Sequence, residues 1–294
     1  MNNINLSGVG VALITPFNSD LSVDYTGLEN LLEHCIAGGV DYFVVNGTTA
    51  ENPVLTSDEK RDILAFVIEK NAGRLPIIYG IGGNNTMALV EELQSFDVEG
   101  VSAILSASPY YNKPTQEGIY AHYAMLSQSS TLPIILYNVP GRTSSNISAE
   151  TTVRLAKDFG NIVAIKEASG NLDQITEIIQ NRPPGFQVIS GDDNLTLHMI
   201  LLGAEGVISV SGQGVPQPFC TMVDAALAGD FNEARTKHLA LFELTNLLFA
   251  EGNPAGIKAL LDLQGICGPT VRLPLVQASS SLRSALQQEL DTLA

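Results

Sequence analysis

The sequence has no tryptophan, only three cysteines and half as many basic residues (15) as acidic ones (31). Cys35, Cys220 and Cys267 are far apart and form no C-x-x-C pair, which excludes a typical zinc site and indicates reduced thiols rather than a disulfide framework. A net charge of −16 argues against nucleic acid and anionic membrane surfaces as partners. No apolar run is long enough to span a bilayer, and the start MNNINLSG lacks the features of a secretory signal. We therefore expect a cytoplasmic protein.

Short apolar runs, each followed by a stretch of helical period, recur along most of the chain. Nearly continuous apolar strands that alternate with helices predict a parallel sheet covered by helices on its outer side. Eight such units predict a (β/α)8 TIM barrel. The predicted strands are residues 9–14, 42–45, 76–79, 102–105, 133–137, 162–165, 187–189 and 206–210.

The strand signal stops after about Val223. Helical patterns at residues 230–249, 254–263 and 280–293 predict three final helices, with Asp230 as an N-cap. No Ser/Gly linker precedes them, so we expect helices packed on the barrel. We predict a barrel over residues 1–223 that carries the active site, and a helical region over residues 224–294.

Lys166 differs from the other six lysines because it closes an apolar run, where a buried strand is predicted to end. The other six have surface interpretations, five in amphipathic helices or at their ends and one in a Pro-containing loop; they are Lys60, Lys70, Lys157, Lys237, Lys258 and Lys113. A buried ammonium group is costly unless it is paired or neutralised, and the neutral amine is the nucleophile that attacks a ketone. A structural ion pair with a carboxylate on a neighbouring strand stays open at this point.

Polar residues follow the predicted strands, and a barrel collects the carboxyl ends of its strands on one face. Lys166 can form a Schiff base with a small keto acid, and Tyr137, one strand away, can carry its protons. Thr48 and Tyr111 can connect that phenol to solvent. A half-buried packing role for the tyrosine and a simple turn for the threonine are the alternatives.

Two further residues of this face suit anionic substrate groups. Thr49 and nearby backbone N–H groups can hold a carboxylate, and the planar fork of Arg142 suits a second one. Arg142 as a surface residue in a Pro-Gly turn is the alternative. Asp192-Asp193 has no partners at metal-ligand spacing, and no G-x-G-x-x-G is present, so neither a metal nor a dinucleotide cofactor is expected.

At these residues the chain resembles the dihydrodipicolinate synthase / N-acetylneuraminate lyase family of pyruvate-dependent class I aldolases. The resemblance runs nearly end to end. Its motifs are Gly47-Thr48-Thr49-Ala50-Glu51, Tyr137-Asn138-Val139-Pro140, Ile165-Lys166-Glu167 and Asn253-Pro254. Thr48-Thr49, Pro109-Tyr110-Tyr111-Asn112 and Arg142 resemble the dihydrodipicolinate synthase branch rather than the sialic acid lyases.

The resemblance implies condensation of pyruvate with L-aspartate 4-semialdehyde, for lysine and diaminopimelate synthesis, in a homotetramer without a cofactor. It implies Lys166 as the Schiff-base residue, Tyr137 as proton donor and acceptor, and a relay through Thr48 and Tyr111 that includes the adjacent subunit. It also implies roles in substrate binding, with Thr49, Ile208 and Gly191 around pyruvate and Arg142 on the carboxylate of the semialdehyde.

Two other functions remain open. The same imine chemistry can cleave a sugar-derived 2-keto acid, as in N-acetylneuraminate lyase or a 2-keto-3-deoxy sugar acid aldolase; a polyol tail would not need Arg142. A non-catalytic paralogue could bind a keto acid as a sensor, but it would have no need for the proton relay.

The chain departs from the family pattern in two places. Ala50 replaces a usual glycine, a change that we expect to be tolerated. At the lysine-inhibitor cleft the usual histidines and glutamate are replaced by Ser57, Lys60 and Ala88, although Asn84 and Tyr110 are retained. A cation and a missing carboxylate weaken recognition of an ammonium group, so we expect weak or absent inhibition by lysine. A submillimolar inhibition constant would contradict this.

Overall fold

Eight parallel strands close into a barrel in the order in which they occur along the chain. A computed structural model describes residues 4–293. Every apolar run predicted above overlaps one strand, so the prediction of a (β/α)8 TIM barrel is confirmed. The strands are β1 Gly8–Ala12, β2 Tyr42–Val45, β3 Ile77–Gly80, β4 Ala103–Ala107, β5 Ile134–Asn138, β6 Ile162–Glu167, β7 Gln187–Ser190 and β8 Gly206–Ser209.

Helices lie between the strands and after the last of them. Asp230 is an N-cap, as the sequence predicts, and its side chain accepts a hydrogen bond from the backbone N–H of Glu233. The helices are α1 Tyr25–Ala37, α2 Ser57–Asn71, α3 Thr86–Ser95, α4 Gln116–Ser129, α5 Pro140–Thr143, α6 Ala149–Asp158, α7 Leu172–Asn181, α8 Thr196–Leu202, α9 Ser211–Gly214, α10 Pro216–Leu227, α11 Phe231–Ala250, α12 Ala255–Leu263 and α13 Ser280–Leu293.

Successive residues of each strand face opposite sides of the barrel wall, because side chains alternate along a strand. On β5, Ile135 and Tyr137 belong to the cluster inside the barrel, whereas Ile134 and Leu136 pack against the helices outside. On β6, Ala164 faces the inside. Lys166 lies two residues further along and therefore also points into the barrel, toward its carboxyl end.

The three predicted final helices are present as α11, α12 and α13. α11 packs on both α12 and α13, and α12 also contacts α9 after the last strand. The helix α10 runs across residue 223, where we place the end of the barrel; the division into two regions stays a prediction. No helix within residues 4–293 is long and apolar enough to cross a membrane.

One lysine prediction is wrong. Lys258, expected at a helix surface, is 0% exposed. Its Nζ lies 2.6 Å from Glu51 Oε1 and donates a second hydrogen bond of 2.8 Å to the carbonyl oxygen of Thr270. The surface expectation fails because α12 is enclosed by its neighbours, with every residue from Ala255 to Leu261 buried.

Candidate active site

Lys166 and Tyr137 lie side by side at the carboxyl ends of β6 and β5. The two residues are register partners in the parallel ladder. Both side chains are buried, and Lys166 Nζ lies 4.4 Å from the centroid of the Tyr137 ring. A proton acceptor and donor therefore stands beside the amine, as acid–base catalysis of imine formation requires.

Lys166 has no carboxylate partner in the part of the chain that the structure describes. None of the ion pairs within residues 4–293 includes it, although its side chain is only 6% exposed. The neighbouring Glu167 faces the opposite side of the sheet, where it binds other groups. The structural ion pair that the sequence left open is therefore absent among the described residues, and the amine points free into the barrel.

Gly191 leaves the space that the Lys166 side chain occupies. It follows β7, the other neighbour of β6. A Cβ at this position would lie 2.9 Å from Lys166 Cε and 2.8 Å from the Cβ of Ala168. Ile208, on β8, is buried in the cluster inside the barrel. Gly191 and Ile208, two of the three residues expected around pyruvate, thus line the interior, and Gly191 lies against Lys166.

The loop after β2, residues 47–51, forms a one-turn 3-10 helix at Thr48–Ala50. Thr48 is exposed, whereas Thr49 is buried and its Oγ1 accepts a hydrogen bond of 2.9 Å from Asn253 Nδ2. The residue with a left-handed backbone is Glu51, at φ 57°, and not Ala50. Alanine in place of the usual glycine is therefore compatible with this loop, as expected.

The loops that carry Tyr111 and Arg142 touch one another. The backbone N–H of Tyr111 donates to the carbonyl oxygen of Thr143 at 3.4 Å, and Ser108 Oγ lies 3.0 Å from Ser145 Oγ. The two predicted side chains are both exposed, Tyr111 to 87%. No hydrogen bond within residues 4–293 joins either side chain to Lys166, so a single chain does not bring them onto the amine.

A buried carboxylate, missed by the sequence reasoning, lies behind the two central residues. Glu167 accepts hydrogen bonds from Asn138 Nδ2 (3.1 Å to each oxygen), Gln174 Nε2 (3.0 Å) and the backbone N–H of Ser169 (2.7 Å). Burial raises the pKa of this carboxyl, while those hydrogen bonds oppose the rise. Strand alternation was the available signal, because Glu167 must face away from the barrel if Lys166 faces into it.

Groups of three or more histidine, cysteine, aspartate or glutamate side chains that could hold a metal ion are absent from residues 4–293. The side chains predicted for the site at this end of the barrel carry an amine, phenols, hydroxyls and a guanidinium. These groups can form and protonate an imine and bind carboxylates with side chains alone.

Comparison with known proteins shows which family this sequence and fold match. Residues 5–293 match the dihydrodipicolinate synthetase family. The chain is 54% identical over 276 residues to the 4-hydroxy-tetrahydrodipicolinate synthase of Parabacteroides distasonis, covering 94% of this chain and 93% of that protein. A dihydrodipicolinate synthase of Acinetobacter baumannii, solved in complex with pyruvate, superimposes with a TM-score of 0.94 at 38% identity over 98% of both chains. One from Cyanidioschyzon merolae, solved with lysine bound, gives a TM-score of 0.92 at 39% identity over 97% of both chains.

Proposed function

This chain belongs to the dihydrodipicolinate synthetase family, and we propose that it performs the family's reaction through an imine on Lys166. It is a Schiff-base-forming lyase that condenses pyruvate with L-aspartate 4-semialdehyde to 4-hydroxytetrahydrodipicolinate, a step of lysine and diaminopimelate biosynthesis. The observation that carries the proposed role of Lys166 is its buried amine, which has no carboxylate partner among the described residues and lies against the Tyr137 ring.

The reaction begins when the neutral Lys166 Nζ attacks the carbonyl carbon of pyruvate. Tyr137 moves a proton to the departing hydroxyl, water leaves and the imine forms. Tyr137, now deprotonated, takes a methyl proton to give the enamine, whose carbon attacks the aldehyde of the semialdehyde; the alkoxide that forms then takes a proton from Tyr137. The amino group of that substrate then displaces Lys166 from the imine carbon, closing the ring and restoring the free lysine. Thr48 and Tyr111 link Tyr137 to solvent for these transfers.

Two residues bind the carboxylates of the two substrates. Thr49 donates to the carboxylate of pyruvate, with Ile208 and Gly191 lining the methyl and carbonyl end. Arg142, whose guanidinium makes no ion pair within residues 4–293, binds the carboxylate of the semialdehyde. A sugar-derived substrate would leave this cation without a partner, which favours the semialdehyde.

Trapping tests the imine. The protein is incubated with pyruvate, reduced with borohydride and weighed intact; we expect one adduct on the wild type and none on Lys166→Ala. If the wild type forms no adduct, or if the Lys166→Ala variant also forms one, the proposed imine on Lys166 is wrong. Parallel assays with aspartate semialdehyde and sialic acid, on the wild type and Arg142→Ala, then test the substrate.

We propose that the active form is a cytoplasmic homotetramer of two tight dimers. Tyr111 supports a shared site, because an aromatic side chain 87% exposed on a left-handed backbone (φ 73°) suits insertion into an adjacent subunit. Leu201, Leu239 and Phe242 support a second contact as exposed apolar side chains on α8 and α11. Sedimentation should give tetramers for the wild type and dimers for Leu239→Glu; a wild-type monomer at micromolar concentration would contradict the assembly.

A further inference from the structure

The C-terminal region, residues 224–294, is hydrogen-bonded through one side-chain amide to the loop after β2, residues 47–51, which we call the substrate loop. Asn253, which immediately precedes Pro254 and α12, is buried, and its Nδ2 donates to Thr49 Oγ1 at 2.9 Å. Its other amide atom, Oδ1, is buried and has no hydrogen-bond partner within residues 4–293. The hydrogen bond to Thr49, which lies 204 residues earlier in the sequence, is therefore the contact that fixes the Asn253 side chain.

That contact determines what the Thr49 hydroxyl can do. A hydroxyl has one hydrogen to donate and lone pairs that accept. Because Thr49 Oγ1 accepts from an amide N–H, its own hydrogen stays available for another acceptor. An anion beside Thr49 then meets a donor, and a hydrogen bond to a charged group is stronger than one between neutral groups.

The same region also fixes the end of the loop. Glu51 accepts from Lys258 Nζ at 2.6 Å and from the backbone N–H of Arg272 at 2.9 Å. Lys258 lies within α12 and Arg272 follows that helix in the sequence, so the C-terminal region binds the carboxylate at two points. The buried pair leaves the loop little freedom to move away from Asn253.

We propose that Asn253 is a positioning residue for pyruvate: it orients the Thr49 hydroxyl as a hydrogen-bond donor to the substrate carboxylate, on a loop that Glu51 and Lys258 hold in place. The inference rests on the proposed function, since it needs a carboxylate at Thr49. It assigns part of the substrate affinity to the C-terminal region, which contributes no group to the imine chemistry.

The isosteric variant Asn253→Asp reverses the polarity of this contact. The introduced carboxylate accepts the Thr49 hydrogen and places a negative charge near the substrate anion. We expect the KM for pyruvate to rise about 10- to 100-fold with kcat changed less than about 3-fold, the pattern of lost ground-state binding. Because burial raises a carboxyl pKa, the defect should shrink as the pH falls from 8 to 6, when the protonated acid donates as the amide does.

Two further variants separate positioning from folding. Asn253→Ala removes the contact without adding a charge, so its KM should rise less and show no such pH dependence. Arg283→Met breaks the 2.6 Å ion pair of α13 with Asp262 on α12, away from the substrate loop, and should leave the pyruvate KM unchanged. All variants are compared at a temperature where denaturant curves show them fully folded.

The outcomes distinguish this inference from the proposed function. A wild type that traps pyruvate on Lys166, together with an Asn253→Asp variant whose KM matches that of Arg283→Met, would overturn the inference alone. A KM defect that does not change with pH would also overturn it, because it would reflect packing rather than hydrogen-bond polarity. A wild type that traps no pyruvate would remove the proposed function itself.

Discussion

Among residues 4–293 two lysines, Lys166 and Lys258, are buried, and they differ in their polar partners. Each ammonium position lies over an aromatic ring, Lys166 Nζ at 4.4 Å from Tyr137 and Lys258 Nζ at 4.2 Å from Phe17. Lys258 also has a carboxylate at 2.6 Å, whereas Lys166 has none within the described residues. The surroundings of Lys258 stabilise a charged ammonium group, whereas those of Lys166 leave an amine available to react.

The difference shows that burial alone does not identify a catalytic lysine. A buried charge is tolerated when it is paired and hydrogen-bonded, and it is then committed to the fold. A buried amine without such a partner has its lone pair accessible once the proton is lost. The four predictions that follow test this contrast.

Replacing the free lysine should have the largest effect. Lys166→Met removes the nucleophile, so kcat/KM should fall by about four orders of magnitude or more. The free energy of unfolding should not decrease, because no ion pair within the described residues is lost and methionine fills a similar apolar volume. Turnover assays and urea unfolding measure the two quantities. A Lys166→Met protein with the wild-type rate, or one that is strongly destabilised, would erase the distinction between the two lysines.

Replacing the paired lysine should instead destabilise the fold. Lys258→Met leaves the Glu51 carboxylate buried without its cation, at a cost of about 3–5 kcal/mol in the free energy of unfolding. Molecules that remain folded should still form the borohydride-trapped adduct. Combining the change with Glu51→Gln should recover part of the stability, because both charges are then gone. A loss below about 1 kcal/mol for the single variant would show that the pair is not important for the fold.

Acid should weaken the contact of the C-terminal region with α2, where Arg272 binds Glu59. The hydrogen bond from Arg272 holds the pKa of Glu59 at about 2, below the usual 4.5. A depressed carboxyl pKa adds stability above pH 4.5 that is lost as the pH falls toward 2, here at most about 3 kcal/mol. Urea unfolding of wild type and Glu59→Gln from pH 6 to pH 3 should show a difference that shrinks with acidity. A difference that is constant with pH would contradict the assignment.

The space around Lys166 should give the smallest effect. A methyl group in Gly191→Ala meets Lys166 Cε at 2.9 Å and must displace the side chain. We expect adduct formation to slow about 10-fold, because small misplacements of reacting groups are costly. Gly141→Ala is the matched control, since a Cβ there meets nothing within 4 Å. Equal trapping rates for the two alanine variants would show that the lysine does not need this space.

The sequence predicted the barrel and the position of Lys166 because both depend on local order. Apolar runs mark strands, and side chains at strand ends share one face of a barrel. It also predicted that Tyr137 would neighbour Lys166, since consecutive strands are adjacent in this fold. These features need only spacing along the chain.

The contacts of the C-terminal region could not be read in the same way. Lys258 and Glu51 are 207 residues apart in the sequence. A lysine in a helical pattern is assigned to the helix surface unless it is known which other helices cover that position. Asn253 before a proline indicates a turn and does not reveal Thr49 as its partner. Interactions that depend on how distant segments pack have no local signature.

The hydrogen bond between Thr49 and Asn253 also bears on the order in which a nascent chain acquires its reactive amine and its affinity for substrate. All eight strands have been synthesised by residue 209, more than 40 residues before the ribosome reaches Asn253. A barrel that closes before Asn253 emerges already contains Lys166, but the loop of residues 47–51 does not yet have the amide that, in our proposal, orients the Thr49 hydroxyl. A segment that is synthesised after the barrel would then complete the affinity for the first substrate.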